Sequence, residues 1–365
     1  MVITRISIDN YKSLVNFDWH LYQVNLLAGG NGSGKSSVLE VVSKLKCIII
    51  AGARIPETFS HRSFTLWGNR DTQSFAIQLK HGIYIFKYEL IIRMDRVKKI
   101  SLIEHEQLMA NEVKAYEYDG KKKQLQIFLD PNIGSDDPSF GFGASRSFLS
   151  EIEPRKGNEA LIAFRDAMTS LAVLKPDQTR LRAISEEDSE TLLPNCENLV
   201  DWYRSWASNY PERAAAITGL MQTSMPDLSG LRLIPRGTAR ELQLEFSVAG
   251  KVANLTLDEL SDGQRMLLIV ACVSASKKFR TLFLDEPDNF VAPKEIAPLL
   301  QILENPDDIE QQLTVITHHP QSIDYLASRN AFLFKLENGI TRLSMLSDID
   351  LDGISLSEAM RDQVV

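Results

Sequence analysis

One glycine-rich segment constrains the fold of this chain more than any other, the run Gly29-Gly30-Asn31-Gly32-Ser33-Gly34-Lys35-Ser36. An apolar stretch, residues 24–28, leads directly into it. Leu39, Val42 and Leu45 follow it at the spacing of one helix face. A strand, a glycine turn and a helix in immediate succession are typical of α/β proteins. The run therefore predicts an α/β fold in which this turn opens a helix.

The same run matches the P-loop pattern G-x-x-x-x-G-K-[ST] in full. Small residues let successive backbone N–H groups approach phosphate oxygens, and the helix that begins near Lys35 adds the positive end of its dipole. We expect Lys35 to contact the β- and γ-phosphates and the Ser36 hydroxyl to ligate Mg²⁺. The residues of this segment that are expected to bind ATP are Asn31, Gly32, Ser33, Gly34, Lys35, Ser36 and Ser37.

A second segment, residues 281–286, is an apolar strand that ends in two carboxylates, as a Walker B element does. Asp285 is expected to hold Mg²⁺, and Glu286 to polarise the attacking water as a general base. A buried strand that ends in an acidic turn is common on its own. Beside a P-loop it predicts ATP hydrolysis, with Lys35 and Glu286 as catalytic residues.

A third segment, Leu260-Ser261-Asp262-Gly263-Gln264, differs at one position from the ABC signature LSGGQ. Its serine and glycine precede a helix predicted over residues 264–276, where a hydroxyl and backbone N–H groups can face a γ-phosphate. Ser-Asp-Gly before a helix is also a good N-cap, so a purely structural role is the alternative. The position of the segment 22 residues before Glu286 (from 264 to 286) favours the phosphate-binding role.

A fourth segment, residues 313–320, is a strand that ends in His318-His319-Pro320. A histidine at this point can hydrogen-bond a γ-phosphate and respond to its loss, although a lone histidine at a strand end is more often structural. The order of P-loop, signature, Walker B and histidine favours a switch role, which makes this histidine a third catalytic candidate.

The remaining pattern predicts an antiparallel β layer and a group of helices. Residues 75–129 alternate with period two, with hairpins across His81-Gly82 and Asp119-Gly120. A loop is predicted over residues 130–146, then helices over 159–171, 197–208 and 211–225, a strand over 242–248, and a hairpin turn at Asn338-Gly339. We predict a P-loop lobe with the β layer at 1–148, a helical insert at 149–235, and a C-terminal lobe at 236–365.

Composition limits the function classes. The formal net charge is −8, whereas tight nucleic-acid binders usually carry a basic excess, so DNA contact would need a local patch. Residues 121–123 are three lysines, most simply a solvated hairpin tip. Cys47, Cys196 and Cys272 have no metal-ligand spacing, and the longest apolar run near the signature is far below the ~20 residues of a membrane span. These features predict a cytoplasmic protein.

Taken together, these motifs resemble the SMC/RecF/OLD-like branch of ABC-type ATPases, in particular its small bacterial members without long coiled coils. The resemblance covers essentially the whole chain. Asn10-Tyr11-Lys12-Ser13 is similar to the N-x-[KR]-[SC] opening of that branch, where the basic residue lies close to the nucleotide, so Lys12 joins the expected ATP-binding residues. The T-H-x-P pattern of the branch selects His318 over His319.

The resemblance also implies a head of two lobes and a head-to-tail homodimer with ATP sandwiched between the subunits. In such a dimer the signature binds the γ-phosphate held by the partner subunit. The signature residues are Ser261, Asp262, Gly263 and Gln264. Two features depart from the transporter ATPases: Asp262 replaces a glycine, and no Q-loop glutamine can be assigned, because Gln73 and Gln78 lie in the β layer.

The function favoured by these features is an ATP-driven dimeric switch that controls DNA or a separately encoded effector, as in bacterial anti-phage systems resembling this branch. A RecF-like DNA repair ATPase that binds DNA directly is the main alternative. A transporter ATPase subunit fits less well, because the antiparallel layer and the Asn-Tyr-Lys-Ser opening argue against it.

Overall fold

The structure is a computed structural model that describes residues 1–95, 97–129, 139–304, 311–349 and 354–361. In chain order the strands are β1 (Val2–Asp9), β2 (Phe17–His20), β3 (Val24–Gly29), β4 (Thr72–His81), β5 (Tyr84–Asp95), β6 (Ile100–Ala110), β7 (Val113–Asp119), β8 (Gln124–Ile127), β9 (Phe140–Gly141), β10 (Leu171–Leu174), β11 (Ile184–Ser185), β12 (Leu228–Arg236), β13 (Ala239–Val248), β14 (Lys251–Thr256), β15 (Thr281–Asp285), β16 (Gln312–Ile316), β17 (Asn330–Glu337) and β18 (Ile340–Met345). The α-helices are α1 (Lys35–Ala51), α2 (Ile55–Thr58), α3 (Glu159–Thr169), α4 (Leu199–Ala207), α5 (Pro211–Gln222), α6 (Asp262–Ser276), α7 (Pro293–Leu303), α8 (Pro320–Ala327) and α9 (Leu356–Arg361).

Two compact units make up the chain, and each is discontinuous in sequence. The first unit comprises Met1–Ala172 and Asn330–Asp350, and the second comprises Val173–Arg329 and Leu351–Val365. The contiguous division at residues 148 and 235 stays a prediction. Within the described residues, no helix is both long and apolar enough to cross a membrane.

In the first unit, β3, the glycine turn and α1 follow one another as the P-loop pattern predicts. β3 pairs in parallel with β17, and β18 returns antiparallel to β17 across the predicted Asn338-Gly339 turn. Both turn residues have a positive φ (50° and 76°), which matches the type I′ turn that asparagine and glycine favour. α1 buries Leu39, Val42 and Leu45, as the helical spacing predicts.

An antiparallel sheet in the first unit has the strand order β2-β1-β4-β5-β6-β7-β8-β9. The hairpins predicted across His81-Gly82 and Asp119-Gly120 are confirmed as β4–β5 and β7–β8. β6, which lies between these hairpins, was not assigned from the pattern. The loop predicted over residues 130–146 falls partly outside the described residues, and Phe140–Gly141 form a short strand within it because they pair with β8.

In the second unit, β15 and β16 pair in parallel over five residue pairs. β13 pairs antiparallel with β11, β12 and β14. The helices predicted at 197–208, 211–225 and 264–276 are confirmed as α4, α5 and α6, and Pro211 occupies the first turn of α5 as expected. α6 contacts both α5 and α7 and is buried on nearly all sides from Met266 onward, so it is the core helix of this unit.

Candidate nucleotide-binding site

The lysine of the P-loop lies inside the loop that carries it. Lys35 is only 4% exposed, and its Nζ donates to the carbonyl oxygens of Gly29 (2.7 Å) and Gly30 (2.9 Å) and to Ser33 Oγ (3.3 Å). Gly34, which has no side chain, is the N-cap of α1. The first turn of α1 therefore presents backbone N–H groups and an ammonium group at one point, which is an anion-binding arrangement.

Close approach of β17 and β18 explains why two positions in this loop must be glycine. Gly34 has φ +105°, and a Cβ added there would lie 2.3 Å from Thr341 Oγ1. Gly29 has φ +141°, and an added Cβ would lie 2.2 Å from the Phe334 carbonyl oxygen. Both distances are far below van der Waals contact, so the loop keeps its shape only with glycine at these two positions.

Thr341, on β18, ties the loop to the opening motif and was not found from the sequence. Its buried hydroxyl donates to the Ser33 carbonyl oxygen at 2.8 Å, and it lies 2.8 Å from Ser13 Oγ, whose hydroxyl can supply the second hydrogen bond. The backbone N–H of Thr341 donates to the Ser13 carbonyl oxygen at 2.8 Å. Residues 13, 33 and 341 are thereby held in one hydrogen-bonded cluster.

Lys12 lies over α1, where it forms an ion pair with Glu40. Glu40 also pairs with Lys44 at 2.9 Å, and Lys44 Nζ donates to the Tyr11 hydroxyl at 2.8 Å. Partial burial raises the pKa of Glu40, but the hydrogen bonds from Lys12 and Lys44 outweigh it and hold the pKa below its ordinary value. The nucleotide contact expected of Lys12 stays a prediction.

Gln73 lies on β4, and its contacts are structural. The residue is fully buried, and its Nε2 donates to the carbonyl oxygens of Asn10 (2.9 Å) and Ser63 (3.1 Å). It therefore joins the backbone of Asn10, in the opening motif, to that of Ser63.

Asp285 and Glu286 lie in the second unit, at the carboxyl end of β15. Asp285 is opposite Ile316 in the parallel register, and the Glu286 N–H donates to the Ile316 carbonyl oxygen at 2.8 Å. Glu286 has φ +57°, a left-handed conformation that costs a residue with a side chain about 1–3 kcal/mol. Strain of this kind is concentrated at functional sites.

Glu286, the predicted general base, and His318, the predicted switch histidine, lie close together. His318 Nε2 lies 3.8 Å from Glu286 Oε1, and Asn289 Nδ2 donates to Glu286 Oε2 at 3.1 Å. A general base needs this kind of restraint, because proton abstraction depends on the position of the carboxylate oxygen.

The turn that carries His318 is fixed by two buried residues, Thr317 of the T-H-x-P pattern and Asp288, whose contact the sequence did not reveal. Thr317 Oγ1 donates to Asp288 Oδ2 at 2.5 Å and accepts the His319 N–H at 2.9 Å. His319 is the N-cap residue of α8. The two neighbouring histidines therefore differ in place: His319 begins a helix, whereas His318 faces Glu286.

Lys175 is a further residue at these carboxylates that carried no sequence signal. Its Nζ lies 3.3 Å from Asp285 Oδ2 and 3.5 Å from Glu286 Oε2. Partial burial lowers the pKa of Lys175, but the charges of Asp285 and Glu286 outweigh it and raise the pKa above its ordinary value. The ammonium group shows that this pair of carboxylates accepts a cation.

The signature residues form the N-terminus of α6. Ser261 Oγ accepts the Gln264 N–H at 3.2 Å, and Gln264 Oε1 accepts the Ser261 N–H at 2.9 Å, which together make a capping box. A Cβ added at Gly263 would lie 3.1 Å from Glu295 Oε2 and 3.3 Å from the Phe290 carbonyl oxygen. The capping interpretation is confirmed, and the binding of a γ-phosphate by Ser261, Asp262, Gly263 and Gln264 stays a prediction.

The predicted metal ligands have the chemistry that Mg²⁺ requires. Ser36 offers a hydroxyl oxygen, and Asp285 offers a carboxylate in a residue that is 6% exposed. Mg²⁺ prefers such oxygen ligands and is commonly held by one or two protein oxygens together with phosphates and water. Ser36 belongs to the first unit and Asp285 to the second.

Comparison with known protein families gave a match. The model of the family described as "AAA domain, putative AbiEii toxin, Type IV TA system" matches residues 24–324. Comparison with curated protein sequences gave no match.

Solved structures show which fold this is. The chain is similar to an SMC head bound to the C-winged helix domain of ScpA, with 14% identity, a TM-score of 0.56, and coverage of 99% of this chain and 100% of that one. The chain is also similar to an Smc head with an extended coiled coil, bound to the C-terminal domain of ScpA derived from Pyrococcus furiosus. The identity is 13%, the TM-score is 0.56, and the match covers 99% of this chain and 98% of that one. For the SMC head domain from Thermotoga maritima the identity is 14%, the TM-score is 0.50, and the match covers 96% of this chain and 100% of that one. The predicted α/β P-loop NTPase fold and the resemblance to the SMC/RecF-like branch are confirmed.

Proposed function

We propose that this chain, which belongs to the AAA-domain family whose model it matches over residues 24–324, binds ATP with Mg²⁺ and hydrolyses it to ADP and phosphate. The observation that carries the proposal is the arrangement at the end of β15. There a strained Glu286 follows the buried Asp285 and faces His318 at 3.8 Å. A carboxylate pair of this kind, in a chain with a complete P-loop, supports hydrolysis rather than binding alone.

Each residue has a separate task in this reaction. The P-loop N–H groups and Lys35 bind the phosphates, as the contacts of Lys35 with its own loop support. Ser36 and Asp285 would hold Mg²⁺, which, when bound, offsets the charge of the phosphate oxygens. Glu286 accepts a proton from the attacking water, and His318 donates a hydrogen bond to the γ-phosphate.

ATP hydrolysis by the purified protein is tested first, with Lys35→Met as the inactivating variant. Lys87→Met is the matched control, because it removes a lysine from an ion pair with Glu112 on the antiparallel sheet. We expect steady ADP release from the wild type and from the control, and none from Lys35→Met. Equal rates in all three proteins would assign the activity to a contaminant and refute the proposal.

We also propose that two copies of the chain sandwich ATP, with the signature of one copy acting on the nucleotide of the other. The N-terminus of α6 supports this role, because Asp262 in its first turn has a half-exposed side chain and the helix end can face an anion. The dimer should accumulate when hydrolysis is blocked by Glu286→Gln, and light scattering with ATP measures its mass.

Ser261→Asp in the Glu286→Gln background separates the two roles of the signature. Aspartate is as good an N-cap as serine, so α6 should keep its cap and the protein should stay folded. The added carboxylate would repel a γ-phosphate, and we expect a monomer at every ATP concentration. A dimer of undiminished stability in this variant would show that the signature does not meet the phosphate.

The partner of this ATPase is proposed to be a separately encoded effector, in keeping with the toxin–antitoxin system named in the family description. Such a protein would act as a nucleotide-gated switch in bacterial anti-phage defence. Two solved heads of the same fold are bound to domains of ScpA, which supports a protein partner for this chain.

Direct DNA binding, as in a RecF-like repair protein, is the second candidate and rests on the exposed Lys121 and Lys122. These lysines lie near Glu104 (3.6 Å) and Asp119 (3.4 Å), which reduces the basic character of the turn. The ATPase rate should therefore respond to the purified product of the neighbouring gene and not to linear duplex DNA. Salt-sensitive DNA binding by Glu286→Gln with ATP would reverse this preference.

A further inference from the structure

Lys175 is the feature of this site that the proposed reaction leaves without a task. Its Nζ lies within 3.5 Å of one oxygen of Asp285 and one oxygen of Glu286, the two carboxylates on which hydrolysis is proposed to depend. Two adjacent carboxylates repel each other, and an ammonium group between them offsets that repulsion. Asp285 is also the residue that is proposed to hold Mg²⁺.

The backbone around Lys175 is built to place it there. Pro176 follows it directly, which restricts Lys175 to extended conformations. The Lys175 N–H donates to the Pro194 carbonyl oxygen at 2.8 Å, and the Asp177 N–H donates to the Asn195 carbonyl oxygen at 3.0 Å. Two hydrogen bonds on either side of a proline thus fix the Cα from which the lysine stem reaches the carboxylates.

The stem itself lies mostly in solvent, since the Lys175 side chain is 62% exposed whereas that of Asp285 is 8% exposed. An ammonium group on a flexible four-carbon stem can leave the carboxylates and enter water at little cost. A guanidinium group would form a planar, two-pronged pair that is harder to displace. Lysine is therefore suited to a contact that must be exchanged during each reaction cycle.

We propose that Lys175 is an internal counter-cation of the nucleotide site, which balances Asp285 and Glu286 before Mg²⁺ arrives and competes with Mg²⁺ for them. It is a positioning residue, and it sets how much divalent metal the site needs. This inference rests on the proposed function, because it assumes that Asp285 holds the metal of an ATPase.

Mn²⁺ binding tests the inference without any need for turnover. Mn²⁺ is titrated into the full-length protein saturated with a non-hydrolysable ATP analogue, and free Mn²⁺ is followed by electron paramagnetic resonance. The variants are Lys175→Met, which keeps an apolar stem and removes the charge, and Lys175→Arg. Lys87→Met is the matched control for the loss of one paired lysine, and thermal unfolding checks that each variant is folded.

Removal of the competitor should tighten metal binding. From the strength of exposed ion pairs we expect Lys175→Met to lower the half-saturating Mn²⁺ concentration about twofold to fivefold. Lys175→Arg should need at least as much Mn²⁺ as the wild type, and Lys87→Met should match the wild type. Lys175→Met with unchanged or weaker Mn²⁺ binding would overturn the inference, because Lys175 would then be inert or would support the bound nucleotide.

The outcome is distinguishable from failure of the proposed function. If the wild type binds analogue and Mn²⁺ and shows the Lys175 effect but hydrolyses no ATP, the inference stands and the hydrolysis proposal fails. If ATP is hydrolysed and Lys175→Met behaves as the wild type, only the inference fails. If no analogue and no Mn²⁺ bind to the wild type, both are refuted.

Discussion

Replacement of Thr341 by valine should weaken ATP binding, although residue 341 is 308 positions away from the P-loop serine that it contacts. The variant keeps the shape of the side chain and removes the hydroxyl. The Ser33 carbonyl oxygen then loses the hydroxyl that donates to it at 2.8 Å, and Ser33 is buried, with 3% of its surface exposed. Ser13 also loses its contact with that hydroxyl, but Ser13 is partly exposed and its own hydroxyl can turn to water.

The size of the effect follows from the cost of an unsatisfied buried acceptor, about 1–3 kcal/mol. Each 1.4 kcal/mol of binding free energy changes an affinity about tenfold. A cost of about 2 kcal/mol should therefore lower the ATP affinity roughly thirtyfold, if the loop must keep its present shape to bind phosphate. Valine is a good strand residue, so β18 itself should tolerate the change. The loss should therefore appear in ATP affinity more than in the unfolding temperature.

Fluorescence titration with an N-methylanthraniloyl ATP analogue measures the affinity. Thr341→Ser restores the hydroxyl and should bind ATP nearly as the wild type does. Thr4→Val, which removes a 3.3 Å hydrogen bond to the Gln78 carbonyl oxygen in the antiparallel sheet, is the control for hydroxyl loss in general. Equal affinities for Thr341→Val, Thr4→Val and the wild type would refute the reasoning that β18 holds the P-loop in its binding shape.

Three further predictions test other parts of the structure. Gly34→Ala should abolish ATP binding, since the added Cβ would lie 2.3 Å from Thr341 Oγ1. Gly30→Ala is the control: its added Cβ meets no atom within 4 Å, and calorimetry should show that this variant still folds. His318→Ala should slow turnover about 10²-fold with little change in ATP affinity, as a rapid-quench assay would show. Burial raises the pKa of Glu106, despite donation from the hydroxyls of Ser147, Tyr88 and Tyr116. Because the pKa of Glu106 in the folded state lies above the ordinary 4.5, protonation of Glu106 favours the folded state. This contribution to stability is present below pH 4.5 and is lost as pH rises through the folded-state pKa. Urea unfolding from pH 4.5 to neutral pH should show Glu106→Gln gaining stability relative to the wild type, and parallel curves would contradict this.

Features encoded locally in the sequence were predicted well. The run of residues 29–36 joins a strand to a helix within one continuous segment, and the structure has the strand, the turn and the helix. The helix start at Ser261 is equally local, because a serine and a glutamine three residues apart can cap each other. In both cases the physical cause acts between neighbours along the chain.

Other parts of the site depend on contacts between distant positions and left no local pattern. Lys175 and Asp285 are 110 residues apart, and Thr317 and Asp288 are 29 apart. A lysine before a proline occurs in many unrelated loops, and the T-H-x-P pattern that includes Thr317 does not indicate Asp288 as its partner. β6 was missed for a different reason: its charged residues Glu104 and Glu106 interrupt the apolar alternation, and only the buried hydroxyls around Glu106 make that position compatible with a core.

Single-turnover hydrolysis of ATP by the wild type and by Glu286→Gln tests the central claim most directly, that Glu286 is the general base of an ATPase. Glu245→Gln, which disturbs an ion pair with Arg232 in the same unit, is the matched control. The wild type and Glu245→Gln should convert bound ATP to ADP and phosphate at similar rates. Glu286→Gln should bind ATP with similar affinity and cleave it about 10²–10⁴-fold more slowly. Cleavage by Glu286→Gln at the wild-type rate, or no cleavage of bound ATP by the wild type with saturating Mg²⁺, would contradict the account.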